Sequence, residues 1–157
     1  MNIVVGSDKN GYPLKEEIAA MLREQGHTVF DVGTTDLDSP RPHTVTAPAA
    51  AKMIQEGKAE RGFLFCGTGM GMSIMANKHK GIYAAVVESC YAAEYCRKIN
   101  DANIMCVGAF IVGTGMAKEM ANIFINTEFM QDFPQWRIDF CGGQQKIVKQ
   151  LEEDLFK

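Results

Sequence analysis

Short apolar segments alternate with longer stretches of helical periodicity along most of the chain. Each short segment is almost continuously apolar, which is typical of a strand in a parallel sheet that is covered on both faces. The strands are predicted at residues 2–6, 28–32, 62–66, 82–87 and 103–108. The helices are predicted near residues 13–25, 45–57, 70–79, 89–99 and 114–126. This alternation predicts a three-layer α/β/α sandwich built on a Rossmann-like, five-stranded parallel sheet.

The sequence after the fifth predicted helix departs from this alternation. A stretch around Phe133-Pro134 precedes Gly142-Gly143, and a final helix is predicted at about residues 144–156. We therefore expect one domain over residues 1–140, with residues 141–157 as a C-terminal helical extension of that same domain. This tail is expected to pack on a partner subunit, because it lies outside the sheet pattern.

The composition excludes several classes of protein. The chain has 157 residues and a net charge of −3, so it carries no basic surface for nucleic acid or an anionic membrane. No apolar run approaches the roughly 20 residues that a membrane-spanning helix needs. The N-terminus enters the first strand without a secretory signal, so a cytoplasmic location is expected. The five cysteines form no Cys-x-x-Cys pair and the three histidines lack zinc-ligand spacing, which favours reduced thiols and no bound metal.

A cysteine stands where the third predicted strand runs into a glycine-rich turn. The segment reads Cys66-Gly67-Thr68-Gly69-Met70-Gly71-Met72 and is predicted to open a helix. The positive end of that helix favours a thiolate, and the neighbouring amides can hold an oxyanion. A base beside such a group of amides indicates chemistry on a carbonyl compound. The alternative is that Cys66 is an inert cysteine at the end of a buried strand.

Asp8 is expected to lie across one crevice from this cysteine. Ligands of open parallel sheets bind at the carboxyl ends of strands, where the strand order reverses. With a strand order of 2-1-3-4-5, the reversal falls between the two strands that end near Asp8 and Cys66. Asp8 is equally suited to cap the helix that follows the first strand, and the two roles are compatible.

The glycine run has a rival interpretation as a dinucleotide-binding turn. Glu88 follows at about the distance expected for a carboxylate that binds a ribose. However, the spacing is G-x-G-x-G instead of G-x-G-x-x-G, and the run follows the third strand instead of the first. A plain tight turn is a further alternative. We therefore favour carbonyl chemistry over nucleotide binding.

Further motifs occur in a fixed order along the chain. They are Gly6-Ser7-Asp8, Asp31-Val32-Gly33-Thr34, the run from Cys66 to Ser73, Asn100-Asp101-Ala102-Asn103, Val107-Gly108-Ala109 and Asn126-Thr127-Glu128-Phe129. With these motifs, the chain to about Asp139 resembles the type B ribose-5-phosphate isomerases and galactose-6-phosphate isomerases. The resemblance implies aldose–ketose isomerisation through a cis-enediolate, without a metal or an organic cofactor. The default substrate pair that it implies is ribose 5-phosphate and ribulose 5-phosphate.

The same resemblance implies roles for individual residues. Cys66 would be the base that moves a proton between C1 and C2, and Thr68 would assist proton movement at O1 and O2. Asp8 and Asn100 would bind sugar hydroxyls or the reacting oxygens. Arg137 would reach into the active site of a neighbouring subunit, which implies a homodimer with shared active sites, either alone or paired into a tetramer. The enediolate would be held by the amides around Gly67, Gly69, Met70, Gly71 and Met72.

The chain departs from the family at the positions where the family opens a sugar ring and binds a phosphate. Ile99 occupies the place of the ring-opening histidine, and isoleucine cannot transfer a proton. Lys9 replaces a second histidine. Three further positions, at which the family carries arginine or histidine, read Phe110, Phe133 and Pro134.

These departures leave several interpretations of the substrate open. A tetrose 4-phosphate needs no ring opening, because its blocked O4 cannot form a furanose. Alternatively, His43 has taken over ring opening, although a loop histidine is more often only a solvated surface residue. The substrate could also be a hexose 6-phosphate, or an unphosphorylated or carboxylated sugar with less negative charge. Lys9 and Arg137 together could still bind one phosphate. Outside the enzymes, a catalytically silent sugar-binding protein is the alternative.

Overall fold

The computed structural model describes residues 1–157 and contains one parallel sheet between two layers of helices. The strands are β1 (Asn2–Ser7), β2 (Thr28–Asp31), β3 (Arg61–Cys66), β4 (Ala84–Val86) and β5 (Ile104–Gly108). The helices are α1 (Tyr12–Glu24), α2 (His43–Gln55), α3 (Met70–Ala76), α4 (Cys90–Asn100), α5 (Thr114–Asn126) and α6 (Gln135–Leu155). The predicted five-stranded α/β/α sandwich is thereby confirmed.

The strand order is β2-β1-β3-β5-β4, so the expected order 2-1-3-4-5 is wrong on one side of the sheet. All residues of β5 are buried, whereas β4 has three residues and the last of them, Val86, is exposed. The strand that is apolar on both faces therefore takes the interior position, and the short strand lies at the edge. The reversal between β1 and β3 is unaffected, because Ser7 pairs with Phe65 at the carboxyl ends of these strands.

Two hydrophobic cores fill the space between the sheet and its helices. On one face, α1, α4 and α5 cover apolar side chains that include Val5 and Phe65. On the other face, α2 and α3 cover a second set that includes Leu64 and Cys66. Successive side chains of a strand point to opposite faces. Cys66 therefore points towards α2 and α3, whereas its neighbour Phe65 points towards α1.

Helix α6 begins at Gln135 and continues through Gly142-Gly143, so the predicted start at residue 144 is wrong. Two glycines inside a helix cost about 1 kcal/mol each relative to alanine. Contacts along the helix offset this cost. Cys141 is buried, and the Glu152 carboxylate accepts hydrogen bonds from the Gly81 N–H at 2.6 Å and the Tyr83 hydroxyl at 3.1 Å. Neither α6 nor any other helix is long and apolar enough to cross a membrane.

A buried lysine holds the loop between β2 and α2 against the body of the domain. Lys15 is fully buried, and its Nζ donates a hydrogen bond to the Thr34 carbonyl at 2.6 Å. It also pairs with the carboxylates of Asp31 and Glu16. The Thr34 N–H donates to the Ser7 carbonyl at 2.9 Å. Because a buried cation must keep its partners, these contacts fix the start of the loop beside the end of β1.

Candidate active site

Cys66 is the last residue of β3 and lies between the carboxyl ends of β1 and β5. Its side chain is largely buried, with 6% of the residue exposed. The chain then turns sharply, because Gly69 adopts a left-handed conformation with φ of +76°. In that conformation the Gly69 N–H donates a hydrogen bond to the Sγ atom of Cys66 at 3.0 Å. The turn thus directs a backbone N–H donor at the sulfur, and a thiolate accepts such a hydrogen bond more strongly than a neutral thiol does.

Backbone amides without a protein acceptor follow Cys66 in the glycine-rich turn. The first hydrogen bond of α3 runs from the Ser73 N–H to the Gly69 carbonyl. Between Cys66 and Ser73, only the Gly69 N–H has a protein acceptor. The other five N–H groups are free, and they belong to Gly67, Thr68, Met70, Gly71 and Met72. Unpaired amides next to a thiol form a site for an oxygen that acquires negative charge. Four of the five residues with predicted oxyanion amides therefore present their N–H groups freely, and the fifth, Gly69, directs its N–H to the thiol.

Asp8 closes the turn between β1 and α1. Its Oδ1 atom accepts a hydrogen bond from the Gly11 N–H at 2.9 Å, and its own N–H donates to the Phe65 carbonyl at 3.2 Å. The second contact joins Asp8 to the strand that ends in Cys66. The carboxylate thus stabilises the turn before α1 and retains its Oδ2 atom for a ligand. Lys9 follows it as an exposed side chain.

His43 is the first residue of α2 and lies against the glycine run. A methyl group placed on Gly71 would come within 3.1 Å of the Cδ2 atom and 3.3 Å of the Nε2 atom of His43. The ring is partly buried. His43 therefore lies against the glycine run that follows Cys66, and its role in ring opening stays a prediction.

Asn100 and Arg137 do not meet Cys66 within one chain. Asn100 ends α4 just before β5 begins, whereas Cys66 pairs with Gly108 at the other end of β5. Four residue steps along β5, at about 3.3 Å each, separate its amino end near Asn100 from its carboxyl end near Cys66. The Cζ atom of Arg137 lies 4.0 Å from the centre of the Phe133 ring and 5.8 Å from that of Tyr95, away from the glycine run.

Three cations that follow from the sequence or lie in the loop before His43 lack a carboxylate partner. The ion pairs of the molecule include none with Lys9, Arg41 or Arg137. Arg41 is not among the residues predicted for the site from the sequence. Its position between two prolines in the loop before His43 was the signal that could have identified it.

Phe110 covers part of the glycine run from the β5 side. A methyl group on Gly67 would come within 2.7 Å of the Phe110 ring, and the Phe110 N–H donates to the Gly67 carbonyl at 3.0 Å. The ring is 73% exposed. An aromatic face thus stands where the resembling proteins carry a cation.

The other cysteines differ from Cys66 in their surroundings. Complete burial raises the pKa of the Cys106 thiol strongly, and the nearby Cys66 raises it further. Burial raises the pKa of Cys96 to about 11. All five cysteines are free thiols, and no group of three or more His, Cys, Asp or Glu side chains could hold a metal ion. Cys106 and Cys96 are therefore poorly suited to act as bases.

Comparison with known proteins agrees with this geometry. The family model described as Ribose/Galactose Isomerase matches residues 3–140. The chain is 46% identical to 4-deoxy-4-sulfo-D-erythrose isomerase from Clostridium sp. (strain MSTE9), over 100% of this chain and 99% of that protein. It is 36% identical to ribose-5-phosphate isomerase B from Escherichia coli (strain K12), over 87% of this chain and 91% of that one.

The solved structures lead to the same family. Ribose-5-phosphate isomerase B from Clostridium thermocellum superimposes with a TM-score of 0.84 and 36% identity, covering 96% of this chain and 99% of its own. The resemblance inferred from the motifs is confirmed, and with it the prediction of an enzyme of the isomerase class. The chain belongs to the ribose/galactose isomerase family.

Proposed function

We propose that the protein interconverts an aldose and its ketose through a cis-enediolate, with Cys66 as the base. The Cys66 thiolate removes the proton from C2 of the aldose, and the electron pair moves onto the carbonyl oxygen. The same thiol then returns a proton to C1, which gives the ketose. The hydrogen bond from the Gly69 N–H to the Cys66 Sγ atom is the observation that carries this proposal.

The unpaired amides supply the other half of this chemistry. A carbon next to a carbonyl loses its proton readily only if the developing oxyanion is stabilised, and one preorganised donor contributes about 2.7–4 kcal/mol. The N–H groups of Met70, Gly71 and Met72 begin α3 and are free to donate. The Thr68 hydroxyl moves the second proton between O1 and O2, and Asp8 binds a sugar hydroxyl through its free Oδ2 atom.

We propose a four-carbon sugar with an anionic group on C4 as the substrate. Such a tetrose has no hydroxyl on C4 and cannot close a furanose ring, so Ile99 in place of a ring-opening acid is no obstacle. The full-length relative named 4-deoxy-4-sulfo-D-erythrose isomerase supports a sulfonate as that group. A sulfonate carries one negative charge, which agrees with the loss of cations at Phe110, Phe133 and Pro134.

The active unit is proposed to be a homodimer that shares its active sites. Asn100 lies at the amino ends of the strands and Cys66 at their carboxyl ends, so a second copy must supply Asn100 if both residues act on one substrate. Arg137 lacks a carboxylate partner and is available to the neighbouring site. An exposed apolar stripe along α6 provides surface for that contact; it consists of Trp136, Phe140, Ile147, Leu151 and Leu155. A cytoplasmic location is part of the same proposal, because five free thiols suit a reducing compartment.

Ribose 5-phosphate is the second candidate substrate, favoured by the position of His43. The ring of His43 lies against Gly71, beside the amides that would hold the sugar oxygens. An imidazole at that place could protonate the ring oxygen of a furanose. In that case His43 would replace the histidine that is absent at Ile99.

Proton NMR in D₂O tests the proposal with wild type, Cys66→Ala and the matched control Cys90→Ala. The panel holds 4-deoxy-4-sulfo-erythrose, erythrose 4-phosphate, ribose 5-phosphate, galactose 6-phosphate and unphosphorylated erythrose. We expect deuterium at C1 or C2 of the tetroses with wild type and Cys90→Ala, and none with Cys66→Ala. Exchange that survives in Cys66→Ala would exclude this thiol as the base. Binding of a sugar by wild type without any exchange would favour a sugar-binding protein instead.

A further inference from the structure

Arg41 lies in the loop between β2 and α2, beside the carboxyl end of β1. Its backbone N–H donates a hydrogen bond to the Thr34 Oγ1 atom at 3.0 Å, and that hydroxyl donates to the Ser7 carbonyl at 3.0 Å. Ser7 directly precedes Asp8. Two residues after Arg41, the His43 ring lies against Gly71. The backbone of Arg41 is thus held beside the end of β1, two residues before the histidine that lies against the glycine run.

The prolines on either side restrain this backbone further. Pro40 and Pro42 have φ angles fixed by their rings, and Pro42 adopts an extended conformation with φ of −71° and ψ of 159°. A residue that precedes proline is itself directed away from the helical region. The Arg41 side chain therefore starts from a defined point, although it lies in a long loop.

The guanidinium group of Arg41 is not neutralised. Its Nη1 atom makes one long hydrogen bond, 3.3 Å, to the Val32 carbonyl. The same loop carries Asp36 and Asp38, but neither lies within ion-pair distance of Arg41. Instead, the Asp36 carboxylate accepts a hydrogen bond from the Asp38 N–H at 2.9 Å. A planar group with five donors and no carboxylate partner suits an anion with three equivalent oxygens.

We propose that Arg41 binds the anionic group on the terminal carbon of the substrate, with Lys9 as the second cation of the same chain. This inference rests on the proposed function and deepens it. Phe110, Phe133 and Pro134 leave no cation at the positions where the resembling proteins carry arginine or histidine. Lys9 follows Asp8 directly after β1, exposed and without a carboxylate partner. Arg41 and Lys9 both lie on segments next to Ser7, which pairs with Phe65 beside Cys66, so an anion bound by them would lie at the same end of the sheet as Cys66.

Steady-state kinetics of Arg41→Gln, Arg41→Lys and the control Arg23→Gln test this inference. Arg23 is an exposed arginine in the last turn of α1, near the amino end of β2 and away from the strand ends that carry the site. The substrates are 4-deoxy-4-sulfo-erythrose, erythrose 4-phosphate and neutral 4-deoxyerythrose, none of which can close a furanose ring. We expect Arg41→Gln to raise KM for the two anionic tetroses by about tenfold or more, while kcat changes little. Arg41→Lys should recover part of the loss, and neutral 4-deoxyerythrose should react equally with every variant.

The two anions and the neutral sugar separate the possible outcomes. A larger loss on the sulfonate than on the phosphate would identify the sulfonate as the group for which the site is built, and the reverse would identify the phosphate. An equal loss on neutral 4-deoxyerythrose would overturn the proposal, because Arg41 would then support the loop and not the anion. Unchanged KM for both anionic tetroses in Arg41→Gln would also overturn it.

Equilibrium binding keeps this test independent of catalysis. The three-carbon compound 2,3-dihydroxypropane-1-sulfonate carries a terminal sulfonate and no carbonyl, so it binds without reacting. We expect its Kd to rise by about tenfold in Arg41→Gln and to stay unchanged in Cys66→Ala. If wild type fails to isomerise any sugar, the proposed chemistry is wrong, and this titration still decides on Arg41. Equal Kd values in wild type and Arg41→Gln, or no binding to wild type, would refute the assignment.

Discussion

The backbone N–H of Gly69 donates a hydrogen bond to the Sγ atom of Cys66, three residues earlier, at 3.0 Å. The contact depends on the left-handed conformation of Gly69, because only there does the chain turn back over the sulfur. The same turn leaves the next three amides free at the start of α3. One backbone conformation thus orients both the proposed base and the donors that would hold the enediolate.

Replacing Gly69 by alanine is expected to lower kcat by about 10- to 100-fold, since small displacements of reacting groups have effects of that size. A side chain at φ of +76° costs about 1–2 kcal/mol in the folded state. In addition, the new methyl group would lie 3.1 Å from the Val107 carbonyl carbon. Isomerase kinetics and thermal unfolding measure the two effects.

Gly26→Ala is the matched control for this substitution. Gly26 has φ of +85° and no atom within 4 Å of the position of an added methyl group, and it lies in the turn after α1. We expect a similar loss of stability, about 1 kcal/mol, with no loss of kcat. A Gly69→Ala enzyme with wild-type kcat would show that the turn does not need to hold the sulfur.

Local patterns were sufficient to predict the layers of the fold and the position of Cys66. The strands are short and apolar, and the glycine run follows β3 directly in sequence. The order of β4 and β5 was not predictable in this way, because it depends on which strand is buried on both faces. The start of α6 was missed because Gly142-Gly143 signals a break locally, whereas burial of Cys141 and contacts of Glu152 stabilise a continuous helix.

Which residues meet at the site was harder to predict, because it depends on contacts between distant parts of the chain. His43 meets Gly71, and Arg41 meets Thr34, only after the loop between β2 and α2 folds back over β1. A local sequence pattern cannot predict contacts that form only when the chain folds. Asn100 lies at the amino end of β5, away from Cys66, because α4 ends just before that strand begins, and its contact with the substrate stays a prediction.

Replacing His43 by glutamine separates the two candidate substrates. If the substrate is acyclic, we expect kcat/KM for 4-deoxy-4-sulfo-erythrose to stay within about twofold of wild type. If ribose 5-phosphate is also turned over, its kcat/KM should fall by about 10²-fold or more, because the acid for ring opening is lost. His27→Gln is the control, since its ring contacts the N-terminal amine at 3.3 Å, far from the site. An equal loss on both sugars would assign His43 to the isomerisation step itself.

Stability at high pH is expected to depend on Tyr83. Burial and the hydrogen bond to Glu152 raise the pKa of Tyr83 to about 12. The folded state therefore holds this proton more tightly than the unfolded chain, whose tyrosines titrate near 10. The stabilisation is fully present below pH 10 and is lost as the pH rises from about 10 to 12. The melting temperature of wild type should thus fall more steeply over this range than that of Tyr83→Phe.

Tyr91→Phe serves as the reference for the pH series, because Tyr91 is exposed on α4 and makes no hydrogen bond to a carboxylate. It should follow the wild-type curve. If Tyr83→Phe also follows that curve, the contact between Tyr83 and Glu152 does not stabilise the folded state. Since Glu152 belongs to α6, far-ultraviolet circular dichroism would register the release of this helix alongside the melting temperature.

Mixing two inactive variants tests whether the active sites are shared between subunits. Cys66→Ala and Asn100→Ala are each expected to be nearly inactive. In a mixed dimer with shared sites, one site carries both substitutions and the other carries neither. Random exchange of subunits should therefore restore about a quarter of the wild-type activity. Cys66→Ala mixed with Thr68→Val should restore none, because these two residues belong to the same chain at every site. Recovery in the control, or none in the first mixture, would contradict the shared arrangement and leave Asn100 without a role at Cys66.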